Sequence, residues 1–115
     1  MPSAIRNAYT AVIARGEAWA GTVATEPYEA AWAAEAVFFV RALEARGRGP
    51  KGRARVQISP DGMNWVDEGT RFRLPAKAGE VTFARVANFG GWLRLVAEVP
   101  KKAGLKVVAT LALKA

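Results

Sequence analysis

The 115-residue sequence has no cysteine and no histidine. Lack of cysteine excludes a disulfide framework, a thiol nucleophile and thiolate zinc ligands; lack of histidine removes the usual general base near neutral pH. Long apolar runs are missing too. The best candidate, AVFFVRALEA, is interrupted by Arg41 and Glu44, well short of the ~20 residues a membrane helix needs, so no membrane partner is expected. The start, MPSAIRNAYTAVIARGE, shows no basic stretch followed by an apolar core and cleavage site, and so no secretory signal. A disulfide-free chain of this kind fits synthesis in the cytoplasm, although a cysteine-free domain can work anywhere.

Catalytic groupings are equally scarce. Asp67 and Glu68 are adjacent, so on a strand they point to opposite faces and cannot form an acid–base pair. Asp61 is accounted for by a turn, and Ser59 has neither a Gly-x-Ser-x-Gly elbow nor a histidine partner. Glu26, Glu29 and Glu35 lie outside any calcium-type loop. No catalytic residue, metal ligand or cofactor is therefore expected, and the chain reads as a binding or assembly protein rather than an enzyme.

What is present is a globular composition, 51% hydrophobic and 23% charged, with enough length for one domain spanning residues 1–115. Seventeen Lys and Arg against ten Asp and Glu give a net charge of +7. The cations are spread along the chain, which suits a solvated surface better than a nucleic-acid footprint. They are densest in Gly47-Arg48-Gly49-Pro50-Lys51-Gly52-Arg53. Arg48, Lys51 and Arg53 are candidates for an anion-binding loop, but the Gly-Lys-Ser/Thr ending of a phosphate loop is missing and a flexible connector is the stronger reading.

The clearest local pattern is Arg53 to Leu74. Ala54, Val56 and Ile58 alternate with Arg55 and Gln57 as in a half-buried strand; Ser59-Pro60-Asp61-Gly62 then breaks the run, and Trp65 and Val66 resume it. Asp61-Gly62 is expected to supply positive-φ turn positions. Further on, Val81 and Phe83 open another strand; Leu93, Leu95, Ala97 and Val99 share one face of the next, with Trp92, Arg94 and Glu98 on the other. The last strand turns Val107, Ala109, Leu111 and Leu113 inward, and its terminal lysines suggest a guarded edge. Residues 28–46 are ambiguous: alanine, glutamate and a capping Gly47 favour a helix, whereas Val37-Phe38-Phe39-Val40 favours a buried strand. The strand is preferred because a sandwich needs this block in its core. Residues 1–27 read as an N-terminal arm and first strands, with a turn at Arg15-Gly16-Glu17 and a strand from Ala18 to Val23. The expected fold is an all-β antiparallel sandwich, jelly-roll-like, with an N-terminal arm.

Four tryptophans, Trp19, Trp32, Trp65 and Trp92, are the most informative side chains for binding. Trp65 is expected in the core, packing across the turn. Trp92 is open between a second sheet, a subunit interface and a ligand surface, with Arg94, Trp32 and Val108 as companions.

Val56-Gln57-Ile58-Ser59-Pro60-Asp61-Gly62-Met63-Asn64-Trp65, followed by Trp92-Leu93-Arg94-Leu95, resembles the hairpin and return strand of discoidin-like jelly-roll modules, a resemblance that implies glycan or lipid-headgroup binding. The whole layout is similar to small β-sandwich accessory proteins of tailed-phage particles: an N-terminal arm, an apolar strand such as Ala36 to Leu43, the Ser-Pro-Asp-Gly-x-x-Trp hairpin, a Gly-Trp-Leu-Arg-Leu strand and an apolar closing strand. That resemblance implies a structural role in capsid decoration or a tail, a homotrimer, a larger protein shell as partner and a place in the virion. The alternative is a carbohydrate-binding module using an exposed tryptophan.

Overall fold

The computed structural model describes residues 7–115. Period-two alternation is the rule along the chain, and each apolar set turns to one interior. The strands are β1 (Ala8–Trp19), β2 (Gly21–Ala24), β3 (Tyr28–Glu29), β4 (Glu35–Arg46), β5 (Arg53–Ser59), β6 (Val66–Arg73), β7 (Val81–Ala87), β8 (Trp92–Val99) and β9 (Gly104–Lys114). All pairings are antiparallel. One sheet runs β1-β9-β4-β7 and the other β2-β8-β5-β6, with β3 also on β8. This order, in which the chain crosses repeatedly between a four-stranded and a five-stranded layer, is that of a jelly roll. No helix forms among the described residues.

The core lies between the layers. Phe38, Val40 and Ala42 of β4 and Val107, Ala109 and Leu111 of β9 meet Val56 of β5 and Leu93, Leu95 and Ala97 of β8, all fully buried or nearly so. Residues 35–46 are thus a strand, and helix propensity yields to the burial that β4 gains between β7 and β9. The inward faces expected for β5, β8 and β9 are the observed ones.

Three local expectations are corrected. Arg15-Gly16-Glu17 is not a turn: β1 continues through it beside β9, and the register shift between Arg15 and Glu17 marks a bulge in which Gly16 takes φ 62°. The strand expected from Ala18 to Val23 is divided, because Ala18 and Trp19 end β1 in one sheet while Gly21, at φ 65°, begins β2 in the other. β9 is not an edge: it pairs with both β1 and β4, and its Lys106 lies 3.8 Å from Glu44 of β4. An arm ahead of β1 would fall on residues 1–6, outside the described residues.

The edge beside β8 is built in two pieces. Pro27 has no N–H for a ladder, so β2 and β3 pair separately with β8. Buried Thr25 bridges the gap: its N–H donates to the Leu95 carbonyl (2.9 Å), and the Leu95 N–H donates to its Oγ1 (3.0 Å).

Candidate interaction surfaces

The outward face of β1-β9-β4-β7 is apolar where solvent would favour polar side chains. The registers set Val12, Thr110, Phe39 and Phe83 in one cross-strand row. The adjacent rows are Arg15, Val108, Arg41 and Val81 on one side and Thr10, Ala112, Val37 and Arg85 on the other. Val12 is 41% exposed, Phe39 36%, Val81 48% and Phe83 47%. The Phe39 and Phe83 rings are 6.1 Å apart, and the Arg85 guanidinium lies 5.0 Å from the Phe83 centroid. No carboxylate stands in these three rows. The surface is therefore hydrophobic with a scatter of guanidinium groups, and Val108, half-buried, sits within it.

The opposite layer presents a polar, internally paired face. Arg55 Nε donates to Asp67 (3.1 Å) and its Nη1 pairs with Glu98; Gln57 Nε2 donates to Asp67 (2.9 Å), and Arg94 Nε donates to Gln57 Oε1 (2.9 Å). The Gln57 amide, reinforced by Arg55, holds the Asp67 carboxyl below its ordinary range. The Arg94 guanidinium lies 4.3 Å from the Trp65 ring centroid, a cation–π contact. Burial, with the nearby Arg55 charge, moves the Arg94 pKa down. Trp65 is thus half-buried under an arginine outside the core, because it precedes β6 at the end of the turn.

The hairpin turn organises the end of this face. Ser59 Oγ accepts from the N–H groups of Asp61 (3.2 Å) and Gly62 (2.8 Å) and donates to Asp61 Oδ1 (3.0 Å). Asp61 also accepts from the N–H groups of Met63 and Asn64 (both 2.8 Å) and from Asn64 Nδ2 (2.7 Å). The Asn64 and Met63 amides hold its carboxyl far below the carboxylate range. Asp61 turns the chain through its carboxylate and not through a positive φ, which Gly62 alone adopts there (78°). A Cβ on Gly62 would lie 3.2 Å from the Trp92 indole, so the turn rests on Trp92 rather than on Trp65.

Arg48, Lys51 and Arg53 do not converge. Lys51 is buried, with its ammonium donating to the Gly49 carbonyl (2.7 Å); Arg48 is exposed in the loop, and Arg53 stands on β5 opposite Glu98. Trp32 lies at the other end of the sandwich. With Tyr9, Tyr28, Asn7 and Ala8 it lines an open concavity of about 480 Å³. Phe39, Phe83, Val81, Val12, Tyr9 and Tyr28 are the surface residues that sequence reasoning did not single out for binding. The available signal was an apolar block longer than one buried face requires, as in Val37-Phe38-Phe39-Val40. Among the described residues, no three acidic side chains gather as a metal site would require.

The fold is thus a jelly-roll β-sandwich. No protein-family model matches the chain, and no curated protein matches its sequence. Among solved structures, it is similar to the SPBc2 prophage-derived protein YomS, with 9% identity, 100% of this chain and 99% of that one covered, and a TM-score of 0.59. It is also similar to the PBSX exported protein XepA, at 12% identity, 96% coverage and a TM-score of 0.57. A chain in the structure of infectious bursal disease virus, Gx strain, gives 12% identity, 95% coverage and 0.54. The chain spans 37% of XepA and 32% of the viral chain. These likenesses, at 9–12% identity, show the sandwich fold, and phage-derived proteins are among the structures that share it.

Proposed function

We propose that this chain is a structural protein of a phage-type particle, a single-domain capsid-decoration or tail accessory that works in the virion and catalyses no reaction. The observation that carries this reading is the apolar outward face of β1-β9-β4-β7, with Val12, Phe39, Val81 and Phe83 exposed in adjoining rows. Large exposed apolar patches on small soluble domains mark contact surfaces. The same fold in two prophage-derived proteins and a virus chain supports the setting.

The partner is first a further copy of this chain, in a closed ring with a trimer as the expected size, and then a larger shell or tail. Arg15, Arg41 and Arg85 bear on the geometry. A face-to-face pair of this surface would bring two sets of guanidiniums together with no carboxylate in these rows to offset them, and like-charge contacts cost several kcal/mol. A head-to-tail ring places the apolar rows against a different surface and avoids this. Light scattering across a concentration series tests the reading. A fixed multiple of the 12.3 kDa chain mass supports it; a monomer at every concentration contradicts self-assembly.

A further inference from the structure

We propose that the open end of the sandwich at Tyr9, Tyr28 and Trp32 is a binding site for a neutral saccharide, a function beyond assembly and on a separate surface. Tyr9 belongs to the inward set of β1 with Ala11 and Ile13, yet those two are buried while Tyr9 is 56% exposed. Leu113 and Ala36, beside it in the same cross-strand row, are buried, so the opening lies at the β1 edge of that row. Tyr28, on β3 opposite Leu93, rises from the other sheet and packs partly against the core. Trp32, 46% exposed, sits in the turn between β3 and β4.

That turn is fixed by backbone hydrogen bonds on both sides: Ala30 N–H to Gly91 (2.7 Å), Ala33 N–H to Ala30 (3.0 Å) and Ala34 N–H to Lys114 (2.9 Å). The indole is presented from a held backbone, which lowers the ordering cost of binding. Burial raises the Tyr28 hydroxyl's pKa, and the Tyr9 hydroxyl adds to the shift, consistent with the two phenols standing side by side across the opening.

The lining selects a ligand class. Among the described residues, the lining side chains offer two phenol hydroxyls, an indole N–H and the Asn7 carboxamide, all neutral. A pyranose offers an apolar C–H face to stack on aromatic rings and hydroxyls to exchange hydrogen bonds with these four groups. The volume of about 480 Å³ falls in the range of small-molecule sites, and its open side would let a longer glycan chain continue past it. Trp92 is the poorer platform because the turn at Gly62 lies against its indole.

Isothermal titration of the whole chain with cellohexaose, maltohexaose and chitohexaose tests the site. Saturable binding to at least one of them is expected, weakened roughly tenfold or more by Trp32→Ala and by Tyr9→Ala, and unchanged by Trp92→Ala. Trp32 is well exposed, so its variant should melt with the wild type, and Tyr28→Phe removes one hydroxyl while keeping the ring. No saturable heat with any of the three sugars overturns the proposal. So does binding that survives Trp32→Ala or is lost only in Trp92→Ala.

Discussion

Gly52→Ala is expected to be among the most damaging single-methyl changes in this protein. Gly52 has φ 96° at the point where the loop from β4 enters β5, and its carbonyl accepts the Leu74 N–H (2.9 Å). A Cβ there would lie 1.9 Å from the Glu98 carbonyl oxygen, 3.0 Å from its carbon and 3.1 Å from Pro100 Cδ. The obstacle is backbone, on the residue that pairs with Arg53, so no side-chain rotation relieves it. Left-handed strain costs about 1–3 kcal/mol, and forcing the strands apart adds about 1–3 kcal/mol of overpacking. A combined loss of about 4 kcal/mol corresponds to a melting temperature lower by roughly 15 °C in a domain of this size. Gly49→Ala is the control: φ is 76° but nothing lies within 4 Å, so only about 1 kcal/mol of strain is expected. Chemical denaturation with calorimetry measures both. Equal losses in the two variants would refute the close approach of β5 to the end of β8.

Phe38→Ala, which empties a fully buried position between the layers, should cost about 3–5 kcal/mol in the same assay. Acid should uncover the Glu80 contacts. Its hydrogen bond from Arg73, with the Ala76 N–H, lowers its pKa to about 2 from 4.5, so its contribution is complete above 4.5 and fades as pH falls towards 2. Glu80→Gln should flatten that part of a stability-versus-pH profile; an unchanged slope would count against the pairing. Asp61, depressed in the same direction by turn amides, should keep contributing to lower pH, and Asp61→Ala should lower the denaturation midpoint at neutral pH.

Where one face of a strand is buried and the other wet, the pattern was legible: β5 and β9 alternate, and the inward residues of β8 follow too, although Val96 on its outer side is also buried. The Ser59-Asp61-Gly62 turn was legible because its side chains act on neighbouring amides. The apolar outward face was not. Val37 and Phe39 point out while Phe38 and Val40 point in, and an unbroken apolar run reads as a strand buried on both sides, although here one side is free. Gly16 misled for a different reason: the positive φ that marks a turn also serves a bulge, and only the partner strand distinguishes them. Trp65 could not be placed without knowing that Arg94 comes from β8 to cover it. The aromatic opening joins residues from β1, β3 and the turn after it, a convergence that no local pattern encodes.

Assembly through the apolar face is most directly tested by comparing solution mass for two double variants on opposite layers. Phe39→Asp with Phe83→Asp places carboxylates in the centre of that face, while Arg55→Gln with Arg71→Gln alters the outer side of β5 and β6. Light scattering should show the wild type and the arginine variant as the same closed oligomer, and the aspartate variant as a folded monomer. An aspartate variant that keeps the wild-type mass would place the subunit contact elsewhere and contradict the assembly role assigned to this face.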